Sequence, residues 1–241
     1  MSATVDIRRA ADRAVTTTSW LQSRHSFSFG GHYDPGNTHH GLLLVNNDDV
    51  VAPGSGFDTH PHRDMEIVTW VLEGELTHQD STGNSGVIYP GLAQRMSAGS
   101  GILHSEKNDS STQPVHFVQM WVSPDETGIP PGYQQHEIDD RLLRGGLVTV
   151  ASGISNRDAP ITLHHSGAAL HCARVQVGDT IDLPGAPYLH AFVARGRVTC
   201  EDAGELGTGD AVRLTDTDGR QLTAVEPAEV LVWEMHAKLG G

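Results

Sequence analysis

The chain has 241 residues, with 30 acidic against 16 basic side chains and a formal net charge of -14. That length allows one or two domains with a substantial core, and the acidity gives a phosphate backbone no basic footprint to bind, which argues against direct nucleic-acid binding. No stretch approaches the roughly 20 apolar residues of a membrane span, and the N-terminal segment has no apolar run of signal-peptide length, so a cytoplasmic protein with no membrane association is expected.

In chain order, IRRAADR near the start suggests a short helix, and β-type runs then follow: HGLLLVN, EIVTWVLEGELTH and VHFVQMWV. The passage PDETGIPPGYQQHEI, rich in proline and polar residues, reads as a linker, and DDRLLRG at 139–145 as a second short helix. Strand-like text resumes with ITLHH, CARVQVG, YLHAFVARGRVTC and EVLVWEM. Short strands divided by glycine and proline, with hardly any sustained helical period, predict an all-β chain of two consecutive β-barrel domains. The boundary falls at 131/132, giving domains 1–131 and 132–241. Cys172 and Cys200 lie in strand-like text without a CxxC, and read as buried free thiols rather than a disulfide or a zinc or redox motif.

The two halves share a layout. WVLEGELTHQD followed by GVIYPGLAQRMSAG matches FVARGRVTCED followed by GELGTGDAVRLT, as one β-fold made twice. Setting Gly74 over Gly196 puts Asp182 and Pro184 where the first half has His60 and His62. Setting Gly91 over Gly209 puts Leu222 and Ala224 opposite His104 and Glu106. The second copy lacks the interesting side chains.

Those side chains carry the chemistry. On a strand, His60 and His62 project to the same face, and Glu66 shares their parity while the pleat holds. His104 and Glu106 repeat the spacing in SAGSGILHSEKN. Two imidazole-bearing pairs converging inside a barrel suit a transition metal, whereas calcium would demand an all-oxygen shell. One HxH among 15 histidines arises easily by chance. The joint pattern of HxHx3E, a glycine turn, and Gly101, His104 and Asn108 spaced as Gx2Hx3N is the stronger signal. His39 and His40 sit in a polar loop-like stretch, and the other histidines, His78 among them, are left as surface or packing residues. Phe57, Trp70, Met96, Met120 and Trp121 could shelter an aromatic substrate but read first as core. Arg63 and Arg95 could hold an anionic substrate, with solvated strand ends as the default.

Gly54, five residues, HPH, three residues and Glu66 resemble the first motif of the cupin superfamily, and GILHSEKN resembles the second. Gly74 comes one place late, and Gly99 replaces the proline usual before the second motif's glycine. HSFSFGGHYDP, GFDTHPHRDMEIVTWVLEGELTHQDS, GNSGVIYPG and RMSAGSGILHSE resemble pirins, in particular the bacterial pirin-like quercetin 2,3-dioxygenases. The similarity is dense over residues 20–125 and thin afterwards.

The resemblance implies a bicupin with one divalent transition metal in the N-terminal barrel, held by His60, His62, His104 and Glu106. Iron(II) comes first, with nickel, cobalt, copper, manganese or zinc also compatible. Glu66, the ligand position of most other cupins, is the rival to Glu106 and otherwise orients a ligand or bound water. The implied activity is oxidative ring opening of a flavonol with O2 and release of carbon monoxide, Glu106 taking the substrate's proton as the catalytic residue. The alternative implied by the same family is a metal-containing redox or transcriptional regulator that acts through a protein partner.

Overall fold

The computed structural model describes residues 4–144 and 146–240. Apart from one short α-helix, Asp140–Arg144, and a 3-10 turn at Ala10–Asp12, regular structure among the described residues is β-strand. The chain is all-β, in two cupin-type barrels.

Each barrel pairs a seven-stranded sheet with a four-stranded one. The N-terminal large sheet runs Gly132–Glu137, Leu92–Ser97, Glu66–Glu73, Val115–Val122, Leu43–Val51, Leu21–His25 and Ala14–Thr17. Its small sheet is Gly56–His62, Ile102–Lys107, Leu76–Asp80 and Ser85–Ile88. The second barrel repeats the layout, except that its last strand, Ile161–Thr162, pairs parallel where Ala14–Thr17 pairs antiparallel. Its large sheet runs Thr4–Arg8, Ala211–Thr217, Ala186–Arg195, Ala228–Met235, Ala168–Val175, Val148–Ser152 and Ile161–Thr162. Its small sheet is Thr180–Leu183, Arg220–Ala224, Arg197–Cys200 and Gly204–Gly207. Gly74 and Gly196 occupy the same turn in the two copies, at φ 78° and 76°. A Cβ on either would strike a proline carbonyl, that of Pro114 or Pro227, so only glycine fits.

The large sheets pack on each other, back to back. In Glu66–Glu73, Ile67 and Val71 point into the N-terminal barrel, while Val68, Trp70 and Leu72 join Leu170, Phe192 and Trp233 in a core shared by both barrels. A strand buried on both faces loses the apolar–polar alternation, which is why EIVTWVL reads as one apolar run. Trp70 Nε1 donates to Glu229 Oε1 at 2.7 Å and Trp233 Nε1 to Met120 Sδ at 3.2 Å. Trp70 and Met120 therefore belong to the joint core and not to a pocket wall. The second barrel is filled with aliphatic side chains, Leu222 and Ala224 among them.

Local readings fare unevenly. DDRLLRG does hold the helix, and both cysteines are buried free thiols. IRRAADR is helical only in the single 3-10 turn Ala10–Asp12: its first residues close the edge strand Thr4–Arg8, which pairs with Ala211–Thr217, and tertiary pairing overrides a weak helix propensity. Within the supposed linker, Gly132–Glu137 pairs with Leu92–Ser97 as the edge strand of the first large sheet, just past the expected boundary at 131/132.

Candidate metal centre

Gly56–His62 and Ile102–Lys107 are neighbours in the small sheet, with His60 directly opposite His104. Residues so opposed hold their Cβ atoms about 4.5–5.5 Å apart, so two imidazoles on the inner face must meet. Their Nε2 atoms are 3.0 Å apart. The His62 ring lies 4.8 Å from that of His60 and 4.9 Å from that of His104, and donor atoms of the three fall within 4.8 Å of one another. Two nitrogen ligands about 2.1 Å from one ion and about 90° apart would be about 3.0 Å from each other. The residues fit a divalent transition metal.

The His60 and His104 rings are set to present a lone pair. His60 Nδ1 donates to the Asp58 carbonyl at 2.7 Å, which leaves Nε2 unprotonated and facing His104. His104 Nδ1 lies 3.5 Å from His78 Nδ1, and His78 Nε2 lies 3.3 Å from Asp80 Oδ2. Burial works to raise the Asp80 carboxyl, but hydrogen bonds from Thr82, Asn84 and His78 outweigh it and hold the group at about 2. An ionised Asp80 accepts from His78 Nε2–H, and the freed His78 Nδ1 accepts from His104 Nδ1–H. Burial, reinforced by the neighbouring rings, pushes His62 down to about 4 and His104 to about 3. Both imidazoles are neutral at ordinary pH, the form that binds metal.

Glu106 follows His104 across a register shift in the pairing with Gly56–His62, a bulge of the kind that re-aims side chains beside functional sites. It forms a second, overlapping donor group with His78 and His104. Gln119 Nε2 lies 2.9 Å from both Glu106 oxygens, and Gln119 Oε1 accepts from Trp121 Nε1 at 3.1 Å.

The structure does not bring Glu66 to these histidines. Between Gly56–His62 and Glu66–Glu73 the chain leaves the small sheet for the large one, through Asp64 at φ 48°, and the two-residue count restarts. Glu66 lands on the face turned to the second barrel, where its Oε2 accepts from His164 N at 3.1 Å and lies 3.2 Å from His164 Nδ1. Arg95 is likewise no solvated strand end: it is buried and donates to Thr162 O, Ser97 Oγ and Gln134 Oε1. Arg63 is exposed.

His60, His62 and Glu106 line one wall of a cavity of about 590 Å³ inside the first barrel. Of the five suspected wall residues, Phe57 and Trp121 line it, joined by Trp20 and Phe29; Met96 packs with Ile67 and Ile102 instead. Asn47, Asp49, Ser23 and Gln119 from the large sheet supply the polar part of the wall. Sequence reasoning missed His78, Asp80, Gln119 and Asp49. The one available signal was the spacing of His78 and Asp80, two apart on the strand after the glycine turn.

A doubled barrel with histidines and a glutamate gathered on the small sheet of one copy is a bicupin. Residues 8–122 match the family model described as Pirin, and residues 149–235 the one described as Quercetinase C-terminal cupin domain. The chain belongs to the pirin family. It is 75% identical over 240 residues, 100% of this chain and 98% of the relative, to a Mycobacterium tuberculosis protein named "Putative quercetin 2,3-dioxygenase". It is 36% identical over 230 residues, 95% of this chain and 97% of the relative, to the Escherichia coli protein named quercetin 2,3-dioxygenase. Among solved structures it superposes on bacterial pirin YhhW from Escherichia coli in complex with nickel(II). The TM-score is 0.89 at 35% identity, covering 97% of this chain and 100% of that one.

Proposed function

We propose that the chain is a metal-dependent dioxygenase that opens the heterocycle of quercetin-like flavonols with O2 and releases carbon monoxide. His60, His62, His104 and Glu106 would hold the metal, with iron(II) the first candidate and nickel supported by the pirin relative's complex. When bound, the metal supplies Lewis acidity and a meeting point for substrate and O2. The observation that carries the reading is that His60, His62 and Glu106 form one wall of a cavity whose aromatic part is Trp20, Phe29, Phe57 and Trp121. A flat polyphenol needs such walls, and they keep bulk water from the activated ring.

The chain's own residues do the rest. The aromatic walls orient the flavonol, and Glu106, held by Gln119, takes the proton of the 3-hydroxyl. The electron-rich enolate that results reacts with O2. Two carbon–carbon bonds of the heterocycle break, the carbon between them leaves as carbon monoxide with the oxygen of the 3-hydroxyl, and both atoms of O2 stay in the ring-opened product, one on each of the carbons it had joined.

The test is aerobic incubation with quercetin of protein loaded in turn with iron, nickel, cobalt, manganese, copper or zinc. Flavonol absorbance and carbon monoxide are followed together. Matched loss of flavonol and appearance of carbon monoxide is expected with at least one metal. Stoichiometric metal binding without turnover in any of them would overturn the dioxygenase and favour a regulator that acts through a protein partner.

A further inference from the structure

Asp49 lies on Leu43–Val51, in the large sheet, and lines the same cavity as His60, His62 and Glu106 of the small sheet. A buried carboxyl needs hydrogen-bond donors. Ser23, opposite it on Leu21–His25, is a donor to it, while Asn47 Oδ1 is engaged with His25 Nδ1 at 2.9 Å, His25 Nε2 with Thr16 Oγ1 at 2.8 Å, and Gln119 with Glu106 and Trp121. Asp49 is 4% exposed, yet its Oδ1 has no hydrogen-bond partner. Among the described residues it is the one cavity-lining side chain with a buried polar atom left so.

We propose that Asp49 is the specificity-determining residue of the cavity, taking a hydrogen bond from a phenolic hydroxyl of an aromatic substrate. The inference rests on the flavonol reading of the site and narrows it to ring-hydroxylated flavonols. A hydroxyl suits this position better than an ammonium group. Burial pushes the Asp49 carboxyl up to about 7, against the hydrogen bond from Ser23, so both its forms are present near neutral pH. A phenol can donate to the carboxylate and accept from the acid, whereas an ammonium can only donate.

The experiment compares binding of quercetin with that of 3-hydroxyflavone, which shares the metal-facing hydroxyl and carbonyl but lacks the ring hydroxyls. Both are titrated anaerobically into nickel(II)-loaded protein, so that no turnover intrudes, and metal content is measured in each sample. Wild type is expected to prefer quercetin by about tenfold, the discrimination of a buried hydrogen bond. Asp49→Ala should reduce the ratio to near one at unchanged metal content, whereas Asp49→Asn, which keeps an acceptor oxygen, should retain most of it. Asp49→Leu replaces alanine if the hole unfolds the barrel. The ratio cancels general loosening of the site, which weakens both ligands alike. An Asp49→Ala or Asp49→Leu protein with the wild-type preference overturns the role of Asp49 alone. A metal-loaded wild type that binds neither flavonol overturns the flavonol reading and this inference with it.

Discussion

His78 is 0% exposed between His104 and Asp80, with its ring stacked on Tyr133 at 4.9 Å. Replacing it by alanine removes the acceptor for His104 Nδ1–H and frees that ring, itself 2% exposed, to turn or change tautomer. Loss of such an outer partner costs about 10- to 100-fold in metal affinity. The His104–His78 separation of 3.5 Å is long for a hydrogen bond, which places the effect at the low end. A rise of about tenfold in Kd for nickel(II) is expected, about 1.4 kcal/mol. His78→Asn, which sets an amide oxygen where Nδ1 was, should recover most of the affinity. The hole left by alanine costs about 2–4 kcal/mol of fold stability, so the chelator-competition titrations belong well below the melting temperature, with circular dichroism confirming the fold. A His78→Ala protein that binds nickel(II) with the wild-type Kd, beside a His104→Ala protein that has lost binding, refutes the proposed support of His104.

His62→Ala or His104→Ala should abolish stoichiometric metal binding while the β circular dichroism persists; full metal content in either variant removes that residue from the centre. Nickel(II) at about 100 times its Kd should stabilise the wild type by about 2.7 kcal/mol, read as a rise in Tm that both variants lack. Glu66→Gln should leave metal content unchanged but weaken the contact between barrels by about 1–3 kcal/mol, because a buried carboxylate that accepts from His164 becomes a neutral amide; chemical denaturation and elemental analysis check the two halves of this statement. His62 and His104 have folded-state pKa values depressed by burial to about 4 and about 3, so the unfolded chain binds the extra protons first as pH falls below the ordinary histidine value. The metal-free protein should therefore lose stability from about pH 6.5 down to about pH 3, more steeply above about pH 4, where both groups contribute, than below it, where only His104 does, and a His62→Gln/His104→Gln double variant should show a flatter profile in urea titrations.

Much of this protein was legible along the chain. Strands announce themselves through short apolar runs cut by glycine, and the equal layout of WVLEGELTHQD and FVARGRVTCED foretold the doubled barrel because each copy needs glycine at the same left-handed turn, Gly74 and Gly196. His60 with His62, and His104 with Glu106, were readable as facing pairs because alternation within one strand is a local property.

Three-dimensional pairing decided the rest. Parity carries no information across a loop, so Glu66, counted onto the wall with His60 and His62, went to the opposite sheet and into contact with His164. The register that sets His60 against His104, and places His78 behind it, joins segments far apart in the chain. Gln119 against Glu106 and the unpartnered oxygen of Asp49 depend on how two sheets face each other across a cavity. The pleat propagates side-chain direction only while the backbone remains extended in one sheet; where chains from separate sheets meet, packing assigns the partners.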